Sequence, residues 1–280
     1  MHAGPLEIRR QEGALILTIQ REERRNALDL ATIQAFGDVF RNHLGAEDRA
    51  VVVTGSGSAA FCAGADLKER RDMSLDQVRE QLLRYRSDLG WLSTCPVPTV
   101  AAINGAALGG GLELALLCDL RVAAAHASFA LPETSLGIIP AAGGTQYLPR
   151  LVGAAKAREL ILLGTRIDAK EALRIGLVHR IADAGGAAPP RAGDGTSAGD
   201  TKPDTEAVLA DALRWIEPIT RGAPLAQRAA LRALRAADRL DLDAGLEFEL
   251  GCYETCLTSE DRSEALAAFA EKRRPVFRGK

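Results

Sequence analysis

The sequence predicts an α/β fold followed by a helical C-terminal part. Short β-branched runs alternate with helical apolar stripes through the first part of the chain. A glycine turn feeds a nearly all-apolar helical segment between Gly105 and Asp119. Beyond residue 204 only helical periodicity remains, as in Leu242, Leu246, Leu250, Tyr253 and Leu257. At 280 residues the chain is long enough for one large domain or a domain with an appendage. The division is expected at 203/204, with residues 1–203 as the core domain and 204–280 as a helical domain. Residues 184–203, rich in Gly and Pro, are expected to form a flexible insertion.

The elements follow in order. Residues 13–20 (GALILTIQ) read as a strand. Asp29 can cap a helix that places Ile33, Phe36, Phe40 and Leu44 on one face. Residues 50–54 (AVVVT) suit a strand buried on both faces. Ser74 and Gln77 have capping-box spacing. They open a helix whose stripe runs Leu75, Val78, Leu82, Tyr85, Leu89 and Leu92, and Pro96 and Pro98 end it. Residues 99–103 and 120–125 are strand-like.

Composition narrows the function classes. Lys and Arg number 35 against 37 for Asp and Glu, a formal charge of −2, which disfavours a strongly basic nucleic-acid binder. Aromatics are 4%, so Ala, Leu, Ile and Val must build the core. No uncharged apolar run reaches about 18 residues, so no membrane span is expected. The opening MHAGPLEIRR lacks the apolar region of a signal peptide. Five cysteines, at 62, 95, 118, 252 and 256, show no paired spacing, which fits a reduced, cytoplasmic setting. The histidines are scattered, and no metal site is expected.

Gly55-Ser-Gly57-Ser-Ala-Ala60 matches a loose dinucleotide-binding pattern. The run after it lacks the helical stripe that such a site needs. Gly109-Gly110-Gly111 begins the apolar helix. Backbone N–H groups there, next to the positive end of the helix dipole, suit a carbonyl oxygen that gains charge during reaction. The same glycines suit close helix–strand packing, and the sequence leaves both open. Glu113 lies in the first turn of that helix, where it could also simply stabilise the helix start by about 0.3–1 kcal/mol. Glu133 follows Pro132 in a loop. Two carboxylates together can divide acid and base work.

Several motifs occur in a fixed order: Phe61-Cys-Ala-Gly-Ala-Asp-Leu-Lys-Glu69, Ala102 to Ala115, Cys118-Asp119, Pro132-Glu133, Gly143-Gly-Thr-Gln146 and Glu271-Lys-Arg-Arg-Pro275. Together they resemble the enoyl-CoA hydratase/isomerase (crotonase) family, with the run from Cys62 to Arg70 most like its methylglutaconyl-CoA hydratase branch. The resemblance implies a spiral of ββα units followed by a helical region used in trimer formation, as a homotrimer or a dimer of trimers. It implies an acyl-CoA thioester as substrate, CoA being part of that substrate, and no separate cofactor. By motif match the backbone amides of Ala65 and Gly110 would form an oxyanion hole. Glu113 and Glu133 would be the acid/base pair that adds water across a 2,3-double bond. Ala63, Ala65, Asp66, Leu67, Lys68 and Gly110 would line the substrate path, with Lys68 near a CoA phosphate. Two positions depart from the pattern. Ala141 stands where glycine is common, and Tyr147 where arginine is common.

Two rival functions go with this expectation. One is a double-bond isomerase of the same family, which often keeps one carboxylate of the pair. The other is an RNA-binding or structural oligomer, for which Arg228, Arg232, Arg235 and Arg239 could form a basic stripe. The balanced charge and few aromatics speak against the second, and no nucleic-acid partner is expected.

Overall fold

The computed structural model describes residues 2–182 and 205–280. The insertion expected at 184–203 lies outside the described residues. The chain opens with an antiparallel meander of β1 (His2–Ala3), β2 (Leu6–Gln11) and β3 (Ala14–Ile19). Glu12 and Gly13, at φ 52° and 80°, make the two-residue turn between β2 and β3. Helix α1 (Leu30–Asp38) starts where the Asp29 carboxylate accepts the Thr32 amide, as the sequence predicts. Strand β4 (Ala50–Gly55) then pairs parallel to β3 and is buried along its whole length.

From β4 onward the chain repeats one plan: a strand in a large sheet, a strand in a small sheet, then helix. The first round adds β5 (Ala60–Cys62), α2 (Leu67–Arg71) and α3 (Leu75–Arg84). The second is β6 (Thr99–Ile103), β7 (Ala106–Leu108) and α4 (Gly110–Leu116). The third is β8 (Leu120–Ala123), β9 (Ser128–Ala130), α5 (Gly144–Val152) and α6 (Ala154–Leu162). The chain then adds β10 (Ile167–Asp168), α7 (Ala169–Arg174) and β11 (Arg180–Ile181). The large sheet has the order β1-β2-β3-β4-β6-β8-β11, parallel from β3 onward, and the small one β10-β9-β7-β5. This is the α/β spiral of ββα units. It repeats in space although the sequence shows no fixed period.

Asn104 joins the two sheets. It is fully buried, its amide donates to the carbonyls of Gly55 and Ala60, and its oxygen accepts the Gly55 amide. The glycine loop at 55–57 is therefore the crossing from β4 to β5. A strand follows it, where a dinucleotide site would need a helix.

Two local expectations need correction. The glycine turn does not run straight into the apolar helix, because β7 intervenes. The stripe from Leu75 to Leu92 is also not one helix. The Ser74–Gln77 capping box is present, but α3 ends at Arg84, residues 85–89 form a wide π-type turn and 90–94 a 3₁₀ turn. Leu75 is exposed, whereas Tyr85, Leu89 and Leu92 are buried. Tertiary packing at the far end of the stripe overrides the helical period.

Four further helices close the chain: α8 (Thr205–Arg221), α9 (Pro224–Ala237), α10 (Leu242–Leu257) and α11 (Glu260–Ala270). Helix α8 lies against β4, β6 and β8 and sends Val208, Ala212 and Ile216 into the core of the sheets. Helices α9 and α10 pack on each other, and the stripe on α10 faces outward, with Leu242 76% and Leu250 61% exposed. Of the four arginines on α9 and just beyond it, Arg235 is held by Asp119 and the Cys95 carbonyl, and Arg232 lies over the Phe248 ring. Among the described residues no helix is long and apolar enough to cross a membrane.

Candidate active site

The three parallel strands of the small sheet deliver the site. Strands β5, β7 and β9 run side by side, so their C-terminal ends share one edge. Ala65 follows β5, Gly110 follows β7 and Glu133 follows β9. Ligands of parallel sheets commonly bind at such an edge. The Ala65 loop is held on both sides of that residue, with Leu28 donating its amide to Gly64 and accepting that of Asp66. Arg21 bridges Asp29 and Asp66 at 3.1 and 2.9 Å, and the Asp66 carboxylate caps α2. Neither the Ala65 amide nor the Gly110 amide donates a hydrogen bond within the described residues.

The glycines around this edge do different jobs. Gly109 has φ 52° and ψ −128°, a conformation that side chains resist, and a Cβ there would stand 3.0 Å from Glu133 Oε1. Gly64, at φ 94°, lets its loop approach the Leu108 carbonyl and the Gly110 nitrogen. A Cβ on Gly111 would run into the Cys62 carbonyl, so this glycine permits helix–strand contact. A Cβ on Gly110 would meet nothing closer than 3.7 Å. Close packing and an exposed helix-start amide therefore both hold, at neighbouring residues of one triplet.

Glu113 is 3% exposed and Glu133 8%. Glu113 Oε1 accepts the amides of Ala142 and Gly144 at 2.8 and 2.7 Å. Burial raises its pKa, and the amides of the 141–144 loop oppose that rise. Glu133 sits in a 3₁₀ turn, Glu133–Leu136, and its Oε2 is buried without a partner among the described residues. Burial pushes its pKa up to about 7; its own backbone amide pulls down, and the neighbouring Glu113 charge pushes further up. One carboxylate is thus held by amides. The other is left able to exchange a proton near neutrality.

Both carboxylates line one cavity of about 160 Å³, together with Ala63, Ala65, Leu67 and Gly110. Leu136, Ile138 and Ile139, all exposed, form an apolar part of its wall. Asp66 and Lys68 are not on the wall. Asp66 is the helix cap described above, and Lys68 is exposed one residue beyond Leu67. Ala141 lines the cavity with an ordinary negative φ, so the position does not need glycine. The Tyr147 ring packs on Gly143, and its hydroxyl pairs with Ser93 at 3.2 Å.

Among the wall residues not singled out from the sequence, two carry polar side chains, Arg70 and Tyr85. Tyr85 sat on an apolar stripe and read as core. It is 4% exposed, yet its hydroxyl has no partner among the described residues. Such an orphan costs about 1–3 kcal/mol. Among the described residues no group of three His, Cys, Asp or Glu side chains could hold a metal.

Known proteins resemble this chain over most of its length. The family model described as Enoyl-CoA hydratase/isomerase matches residues 9–184. The chain is 42% identical over 253 residues to methylglutaconyl-CoA hydratase 1 of Pyricularia oryzae, covering 88% of this chain and 69% of that protein. It is 44% identical over 231 residues to an enoyl-CoA isomerase/hydratase of Mycosarcoma maydis, covering 82% and 77%. The crystal structure of an enoyl-CoA hydratase from Bacillus anthracis superposes with a TM-score of 0.88 at 38% identity, covering 99% of this chain and all of that one.

Proposed function

Because the chain belongs to the enoyl-CoA hydratase/isomerase family, we propose that it is a hydratase, adding water across the 2,3-double bond of a 2-enoyl-CoA thioester. The observation that carries this reading is the meeting of two buried carboxylates, from separate segments, in one cavity beside two unengaged amides. The thioester oxygen takes the Ala65 and Gly110 amides. As water oxygen bonds to C3, the π electrons move toward the thioester and the oxygen becomes enolate-like. A single donor of this kind typically lowers such a barrier by about 2.7–4 kcal/mol. Glu113 and Glu133 hold the water, receive its proton and return a proton to C2, closing the balance. They act as one coupled pair.

The CoA moiety follows the run from Ala63 to Lys68. Asp66 serves by fixing the loop, and the exposed Lys68 offers its ammonium to a CoA phosphate. Methylglutaconyl-CoA is the specific substrate that relatives such as the Pyricularia oryzae enzyme suggest. A trimer or dimer of trimers would cover the apolar side chains exposed on α10 and α11. The five free thiols suit a reducing compartment such as the cytoplasm.

Isomerisation is the second reading, favoured by the name of the Mycosarcoma maydis relative. Product analysis separates the two. A 2-enoyl-CoA should yield the 3-hydroxyacyl-CoA, faster than a 3-enoyl-CoA yields its 2-enoyl isomer. Double-bond migration without hydration would overturn the proposal.

A further inference from the structure

We propose that Tyr147 is a positioning residue of the site, its ring clamping the glycine loop whose amides hold Glu113. The inference rests on the hydratase reading above and adds a residue that acts through Glu113 rather than on the substrate. Glu113 Oε1 sits at the start of α5, where the Ala142 and Gly144 amides donate to it. The residue between them, Gly143, has φ 113° and no side chain to restrain its peptides. Rotation of the Gly143–Gly144 peptide would turn the Gly144 amide away and bring a carbonyl oxygen toward the carboxylate.

Two contacts from Tyr147 oppose that rotation. Its amide donates to the Gly143 carbonyl at 2.8 Å. Its ring folds back over Gly143, where a Cβ would stand 2.5 Å from Tyr147 Cε2. The ring is itself pinned, because its hydroxyl donates to Ser93 Oγ at 3.2 Å and Ser93 donates to the Gly90 carbonyl at 2.8 Å. Tyr147 thus ties the first turn of α5 to the 3₁₀ turn at 90–94. It is not among the described lining residues of the cavity, so substrate contact does not account for it. The amides favour the charged form of Glu113 against burial, and loosening them raises the pH at which this carboxyl ionises. Around it, Glu133, Tyr85 and Arg70 line the same cavity, burial keeps the Cys62 thiol of β5 neutral, and Arg150 lies in the last turn of α5. None of these changes in the variants below.

Infrared difference spectra across pH follow the Glu113 carboxyl as the band that Glu113→Gln removes. In Tyr147→Ala its midpoint should rise by at least about half a pH unit. Crotonyl-CoA hydration should lose at least about tenfold in kcat with KM within about twofold, and the low-pH limb of kcat should move up with the carboxyl. Tyr147→Phe keeps the ring and should restore both midpoint and limb. An unmoved midpoint in Tyr147→Ala would overturn the proposal. So would a lower kcat on an unmoved limb, which general loosening of the fold gives, or a midpoint that Tyr147→Phe does not restore. Tyr147→Leu removes the ring but keeps apolar bulk, and it carries the same test if Tyr147→Ala folds poorly. A shifted midpoint in a protein that hydrates no enoyl ester would sink the hydratase reading and leave this one standing.

Discussion

Glu133 is held in surroundings that favour its neutral form, and this has a consequence for stability. Its folded pKa, pushed up to about 7, lies above the value of an exposed glutamate, about 4.3. The neutral carboxyl therefore favours folding fully below pH 4.3, and that contribution is lost as pH rises through 7. Glu133→Gln should raise stability by about 1–3 kcal/mol at pH 8 and by little at pH 4.5, as read by denaturant titration at the two values. An equal change at both would show that the carboxyl is not desolvated. Gly111→Ala should destabilise by more than about 2 kcal/mol, since its methyl would overlap the Cys62 carbonyl. Thermal unfolding of that variant checks it, and an unchanged midpoint would contradict the contact. Glu113 and Gly110 stood out because a carboxylate and a glycine cluster are unusual in an apolar helix start, whereas Glu133, in a loop, stood out only beside Glu113; all three line one cavity. Tyr85 did not stand out, because periodicity reports which face a side chain lies on and not whether its hydroxyl finds a partner. Tyr147 became explicable only through the glycine beneath its ring.

At the scale of elements, the site depends on three strand ends kept level, and Asn104 fixes the crossing that sets them. Asn104→Ala would take the side-chain acceptor from the buried Gly55 amide and a donor from the Gly55 and Ala60 carbonyls, of which Ala60 keeps Asn26. A loss of about 2–4 kcal/mol is expected, with activity falling at temperatures where the fold persists. Urea unfolding measures the first effect, and a loss under 0.5 kcal/mol would contradict it. The β-branched runs at 50–54 and 99–103 and the caps at Asp29 and Ser74 were readable, because local chemistry alone specifies them. The short strands β5, β7 and β9 were not. Three residues carry too little pattern, and what makes them strands is pairing with one another. The break in α3 had the same origin, with burial of Leu89 and Leu92 overriding the helical repeat.

For the whole molecule, Leu242 and Phe269 expose 76% and 86% of their surface, and Leu250 and Tyr253 are also open. Exposed apolar side chains of this kind suit the association proposed above. Sedimentation velocity should therefore show trimers or hexamers, and a monomer at micromolar concentration would contradict that expectation. That the chain beyond 204 is helical was visible from the change of periodicity there. That α8 packs into the core of the sheets was not, since an amphipathic pattern does not name its partner. The central claim, that the whole assembly brings two carboxylates to one water beside an oxyanion site, is tested most directly with Glu133→Gln. Crotonyl-CoA hydration should fall at least about 100-fold in kcat, while calorimetry still detects butyryl-CoA binding. Hydration at the wild-type rate would contradict the account.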